Sequence, residues 1–333
     1  MSDVEKARTV DQPASLATRL GEAVFAGTKG PLIGLVLLCV VLSLSTDTFL
    51  TVRNLLNVMD QITVLGIMAI GMTLVILIGG IDLSVGSVLA LGAMVMGFVA
   101  HPDYLNMGIP VGIVAALAAG ALCGLVSGLL VTVARLPPFI ATLAMMSVAR
   151  GLANMITDGS QIVGFADWFS AMSITRYFGF LSITVGVMVV LAIAFAVFLS
   201  LRANGRNLYA IGGSPEVARL SGIPVRKLTN WVYAACGLLA GLAGVVLAAR
   251  LDSVQPSSGF GYELDTIAAV VIGGASLSGG TGSIGGTAIG VLTIGILRNG
   301  LNLLGVSPFI QQVVIGVVIA LAVAADTWRR HSR

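Results

Sequence analysis

Charge is what this chain has least of. Asp, Glu, Lys and Arg together make up 10% of its 333 residues, against about 25% in an ordinary soluble domain. Apolar residues make up 57%, and the mean hydropathy is +1.01. A soluble fold cannot hide that much apolar sequence, because most of it would end on the surface. A bilayer can. The short alternating segments of a membrane β-barrel are missing too. Helices remain, since they satisfy their own backbone hydrogen bonds in lipid. The chain reads as an all-α protein, a polytopic transmembrane helical bundle.

Other scarcities narrow the function. The three lysines are Lys6, Lys29 and Lys227, and none follows a glycine-rich phosphate loop. No G-x-x-x-x-G-K-[ST] occurs, so the chain does not hydrolyse ATP by that route. The two histidines, His101 and His331, are far apart at loop or tail positions. The three cysteines, Cys39, Cys123 and Cys236, all lie inside apolar runs, where they read as small buried hydrophobes without metal or redox spacing. No nucleophile elbow or zinc-protease helix is present. No catalytic residue, cofactor or metal is therefore assigned, and the protein is read as a non-enzyme. A net charge of +3 gives no reason to expect nucleic acid.

What is present is a series of apolar runs, each near the roughly 20 residues a span requires. About ten fall near 31–47, 61–80, 84–100, 109–133, 139–156, 181–201, 230–249, 264–278, 283–303 and 308–327. The eighth and ninth have ends blurred by glycine. The first run begins at Pro31 with no small-residue cleavage site behind it, and residues 1–30 hold Asp3, Glu5, Asp11 and Glu22 among basic residues. That is expected of a cytoplasmic tail rather than a signal peptide. The expected organisation is tail 1–30, transmembrane domain 31–327 and C-terminal tail 328–333. Short loops rich in Lys and Arg mark the cytoplasmic side. The loop 202–229 holds Arg202, Arg206, Arg219, Arg226 and Lys227; Arg135 and the terminal Arg329, Arg330 and Arg333 fall on the same side with ten spans. Both termini are accordingly expected in the cytoplasm. Arg53, Arg176 and Arg250 fall on the opposite side.

Glycine is abundant, at 42 residues. Gly120, Gly124 and Gly128 recur every four residues in the fourth run, and Gly237 and Gly241 repeat the spacing in the seventh. Small residues so spaced let membrane helices approach closely, either within one subunit or across a dimer seam. An internal echo also appears: IGGIDLSVG at 78–86 and IGGASLSGG at 272–280. Glycine-rich breaks of this kind sit near the path in many transporters. Polar residues in or near the runs, namely Asp82, Asn154, Asn299, Asn302 and Gln311, are candidates for a translocation path. Bonding between helices is the competing reading for the amides, and capping of the third span competes for Asp82. Acids are too few and too peripheral to support a coupling-ion site well. The spans hold few aromatics, so no high-affinity sugar pocket is legible.

One polar stretch stands out, GGSPEVARLSGIPVRK at 212–227. Ser214 suits an N-cap, Pro215 the first helical position and Glu216 the positive end of the dipole. Gly222 suits a C-terminal stop, with Pro224 two residues on. A helix of barely two turns is unstable alone in water and needs a surface to lie against. A soluble partner pushing on the membrane domain would supply one; anionic lipid headgroups, attracted by Arg219, Arg226 and Lys227, would supply another.

Five stretches carry a resemblance: NLLNVMDQITVLGIMAIGMTLVILIGGIDLSVGS at 54–87, PPFIATLAMMSVARGL at 137–152, GRNLYAIGGSPEVARLSGIPV at 205–225, QPSSGFGYELDTIAAVVIGGASLSGGTGSIGGT at 255–287 and NGLNLLGVSPF at 299–309. In this order and at these distances the chain resembles the permease subunits of bacterial ABC importers for monosaccharides, the ribose permeases in particular. The resemblance implies the ABC-importer permease fold in the bacterial inner membrane. It implies that 214–222 is the coupling helix, and that Glu216, Ala218, Arg219 and Gly222 touch an ATPase. It also implies a second permease subunit, an ABC ATPase subunit on each, and a periplasmic sugar-binding protein. ATP binding would then swing the permease outward, and hydrolysis would reset it. The sugar stays open among ribose, arabinose, xylose, galactose, fructose and inositol. Another small solute, or an ion-coupled secondary carrier, is the alternative. The N-terminal tail and the external loop 157–180, with Trp168, Phe169, Tyr177 and Phe178, depart from the family pattern. Those aromatics suit either docking of the binding protein or anchoring at the interface.

Overall fold

A helix stands at each of the ten expected runs. The computed structural model describes residues 28–331. The expected tail up to residue 27 and the side chains of Arg329, Arg330 and Arg333 lie outside that description. The apolar helices are α1 (Lys29–Ser45), α2 (Val52–Leu77), α3 (Val85–Ala100), α4 (Ile109–Thr132) and α5 (Pro138–Met155), followed on the far side of a short helix α6 (Asp167–Ile174) by α7 (Ile183–Leu201). Two polar helices, α8 (Ala203–Gly213) and α9 (Pro215–Leu220), separate α7 from α10 (Val225–Leu251); α11 (Tyr262–Ile272), α12 (Ile284–Leu303) and α13 (Pro308–His331) complete the bundle. By length and composition α2, α4, α7, α10 and α12 can each cross a membrane.

Sequence explains which helix sits where. α2 and α10 are the core: their apolar windows are 89% and 78% buried within the chain, whereas that of α7 is 17% buried. α7 has the composition of a lipid-facing helix, ITVGVMVVLAIAFAVFLSL, apolar all round. The two glycine stripes pack on each other. A methyl group on Gly120 would come under 3.0 Å from the Gly237 carbonyl, and one on Gly124 equally close to the Tyr233 carbonyl. α4 and α10 thus touch backbone to backbone inside one subunit, which decides between the two readings of these stripes.

One expectation needs correction. The run 264–278 is not a full helical span: α11 ends at Ile272 after 11 residues, about 16 Å of helix, half of a hydrocarbon core of roughly 30 Å. The glycines that follow cannot prolong it. Gly273 and Gly274 close the helix, with the Gly274 amide on the Val271 carbonyl and the Ala275 amide on the Val270 carbonyl, and Gly274 at φ +96°. The first copy of the echo ends α2 in the same way. There the Gly79 and Gly80 amides bond the Ile76 and Val75 carbonyls, with Gly79 at φ +77°. Each is the paired cap that a left-handed glycine makes at a helix C-terminus. The equivalent residues, Gly79 and Gly274, lie one position off the alignment that the letters alone indicate.

On the opposite side from these breaks, β1 (Ile162–Val163) and β2 (Ser253–Val254) pair antiparallel. Asp60 of α2 accepts from Arg176 and, at 3.2 Å, from Ser182, pinning the loop before α7. Phe169 is fully buried and belongs to the core, while Trp168, Tyr177 and Phe178 are exposed.

Candidate functional site

The polar stretch forms a capped pair of helices standing between α7 and α10. The Ser214 hydroxyl accepts from the Val217 amide at 3.3 Å, Pro215 opens α9, and Gly222 at φ +82° closes it. The Gly222 amide bonds Arg219 and the Ile223 amide bonds Ala218, both at 3.0 Å. α9 has six residues, and it is held at both ends rather than stable by itself. Glu216 and Arg219 are exposed and lie 3.8 Å apart. Ala218 corrects the expectation: it is buried against its own subunit and cannot touch a partner. In its place Val217 and Leu220, 60% and 78% exposed, present apolar surface beside Arg219. Their apolar character three residues apart on a solvent-side helix was the signal available in sequence.

Behind α9, α8 is wedged onto the two echo copies at once. The Gly280 amide bonds the Leu77 carbonyl at 2.9 Å, joining the second break to the end of α2. Gly212 lies directly over that bond, with the Leu77 carbonyl and the Gly280 backbone both under 3.0 Å from where a methyl group would stand. The Tyr209 hydroxyl donates to the Gly282 carbonyl at 3.0 Å. Backbone contacts thus join α8, which leads into α9, to the end of α2 and to the α11–α12 break.

The five polar path candidates are not brought together. Asp82 is buried at the start of α3, where one carboxylate oxygen accepts from the Ser84 amide at 2.9 Å and the Ser84 hydroxyl at 2.6 Å. Its other oxygen and the Tyr233 hydroxyl are buried without a partner among the described residues. Asn299 exchanges two hydrogen bonds with Asn54, at 2.8 and 2.9 Å, inside the α2–α12 contact. Gln311 donates to Asn302 and to the Val306 carbonyl, stapling the turn between α12 and α13. Asn154 and Asn302 are exposed, and Asn154 donates to the Arg150 carbonyl one turn back.

The Asn54–Asn299 pair makes a checkable case. Asn299→Leu strands a buried amide and is expected to cost about 1–3 kcal/mol, read as a lowered Tm in detergent. The Asn54→Leu/Asn299→Leu double variant is expected to recover part of that loss, because neither amide is then left unpaired, although the Phe49 carbonyl loses the bond that Asn54 donates to it at 2.9 Å. A double variant no more stable than the single would mean that the bond Asn54 also donates to the Phe49 carbonyl outweighs the relief of the stranded amide.

Deeper in the chain Asp265 is buried and ion-paired with Arg298 of α12. The adjoining pocket, lined by Gln61, Tyr262 and Gly295 among others, has a volume of ≈ 50 Å³, far below the roughly 300 Å³ at which small-molecule sites begin.

With this geometry in view, residues 54–323 match a family described as branched-chain amino acid transport system / permease component. The chain belongs to this permease family. The permease is 48% identical over 300 residues to the ribose import permease protein of Escherichia coli (strain K12), covering 89% of this chain and 92% of that one. It is 46% identical to the ribose import permease protein of Bacillus subtilis (strain 168), over 89% and 92% of the two chains. With the fructose import permease protein of Rhizobium meliloti it shares 36% identity over 85% of this chain and 80% of that one. No solved structure matches it. The permease is thus an integral membrane transport component and not an enzyme.

Proposed function

We propose that this permease is the membrane subunit of an ATP-driven importer that carries a monosaccharide, ribose before other sugars, across the bacterial inner membrane. The observation that carries the reading is α9, a short helix capped at both ends, with Val217, Leu220 and the Glu216–Arg219 pair on its exposed face, joined to α8, which rests on two breaks in the bundle. Such an element transmits a push from a soluble partner, here an ABC ATPase subunit. The sugar class rests on the named relatives, two of them ribose and one fructose import permeases. Two copies of the permease, two ATPase subunits and a periplasmic sugar-binding protein complete the importer. ATP binding closes the ATPase pair and turns the path outward; hydrolysis resets it by alternating access. The α8–α9 side, with both termini, faces the cytoplasm.

The deciding experiment is gentle extraction of the tagged permease with identification of what co-purifies. An ATPase subunit is expected with the wild type. Arg219→Glu puts two acids a turn apart on the docking face, and like charges across an interface cost several kcal/mol. The variant is expected to retain about a tenth or less of the bound ATPase, with unchanged insertion and folded yield. A wild-type permease that came out alone and still moved sugar in liposomes under an ion gradient would replace this reading with a secondary carrier.

A further inference from the structure

The chain between β2 and α11 descends into the bilayer without forming a helix. Val254 packs against Gly97 near the outer end of α3, and Gly259 packs against Gly86 near its inner end. Those contact points are eleven residues apart on α3, about 16 Å along its axis. Residues 255–261, QPSSGFG, therefore cover the outer half of the crossing and α11 the inner half. Lipid does not tolerate irregular backbone; such a segment survives at membrane depth only in protein or beside water.

Protein satisfies one side of it. Arg150 of α5 donates through Nη1 to the carbonyls of both Pro256 and Ser258. Val254, Pro256 and Gly259 are buried against the subunit. The other side is uncovered. Gln255 and Ser257 are exposed, Phe260 is 81% exposed, and the amides of Ser257 and Phe260 find no acceptor among the described residues. α5 continues this surface: Ser147, Gly151 and Asn154, all exposed, fall on one helical stripe with Arg150. An amide, a hydroxyl and free peptide groups beside an aromatic ring cannot face acyl chains, but they can face water and a sugar.

We propose that the non-helical segment 255–261 forms the wall of the aqueous path, with Phe260 as the apolar platform for the sugar ring and Gln255 and Ser257 as its hydroxyl partners. This rests on the importer reading above and adds where the sugar touches the permease. The aromatic was invisible in the search of the spans because it lies in the stretch between two of them. It also accounts for the exposed Asn154, which borders the same surface.

The test uses the complete importer in proteoliposomes and a membrane-impermeant thiosulfonate reagent. The wild-type chain, whose own cysteines are buried or half-buried, serves as blank. Gln255→Cys and Ser257→Cys are expected to react, with or without ATP, far faster than Val190→Cys on the lipid-facing surface of α7. Reaction no faster than Val190→Cys in both conditions would overturn the aqueous wall. Phe260→Ala is expected to lower D-ribose uptake about tenfold, as loss of several methylenes of contact does, while the ATPase subunit still co-purifies; Phe260→Trp is expected to retain uptake. Wild-type uptake in Phe260→Ala would overturn the sugar contact. A wild-type importer that takes up no D-ribose would overturn the choice of sugar and leave the wall to be decided by the labelling alone.

Discussion

Gly212→Ala is expected to reduce uptake by tenfold or more, and Gly213→Ala, one residue further on, to leave it unchanged. The difference is steric and local. A methyl group at Gly212 would meet the Leu77 carbonyl and the Gly280 amide, the two partners of the bond that ties the α11–α12 break to the end of α2. Both obstacles are backbone, so no rotamer change relieves them. Overpacking of side chains in a core already costs about 1–3 kcal/mol, and a backbone collision cannot relax as those do. At Gly213 nothing lies within 4 Å, and Ala there fits a helix better than Gly does. Uptake and the monodisperse fraction on size exclusion, measured on both variants, check the contrast. If Gly212→Ala folded and transported as the wild type does, α8 would not rest on the two breaks, and the route from α9 into the bundle would have to be sought elsewhere.

That contact also marks how far the sequence could be read. The helix 214–222 was legible down to its caps because capping is local: Ser214, Pro215, Gly222 and Pro224 act on groups within five residues. The longer apolar helices were legible because lipid imposes a length and a composition on each span. The meeting of the two echo copies was not legible. Their shared letters record a shared cap, but the bond from Gly280 to Leu77 joins positions two hundred residues apart, and no local rule encodes it. The eighth run misled for a related reason. Glycine and small apolar residues at 273–278 keep its hydropathy high, while two glycines in succession end the helix. Ala218 misled because a two-turn helix has a buried face even when it protrudes. Among the polar path candidates, Asn299 and Gln311 are bound to partners that lie on other helices or across a turn, so their burial could not be foreseen from composition. Phe260 was not legible for the opposite reason, since it lies in a segment with neither the apolar length of a span nor the polarity of an external loop.

The second large effect is expected at the α4–α10 crossing. Gly124→Leu is expected to leave little permease that survives detergent extraction as a monodisperse species. A first methyl group on Gly124 would already stand under 3.0 Å from the Tyr233 carbonyl and carbon, and Leu adds three more carbons in the same direction. In lipid no hydrophobic force compensates for separating the helices, because acyl chains are as apolar as the side chains they replace; close packing itself holds them together. The cost spreads beyond the crossing, since α10 also packs against α2 and α3 and carries Tyr233 and Cys236 next to the start of α3. Leu122, two residues away on the same helix and 61% exposed, supplies the control. Leu122→Ala, on the outward face, is expected to keep the wild-type yield. A normal yield for Gly124→Leu beside a normal yield for Leu122→Ala would mean that α4 does not meet α10 along its glycines. The stripe would then be free to face a second subunit, the other reading that four-residue glycine spacing allows.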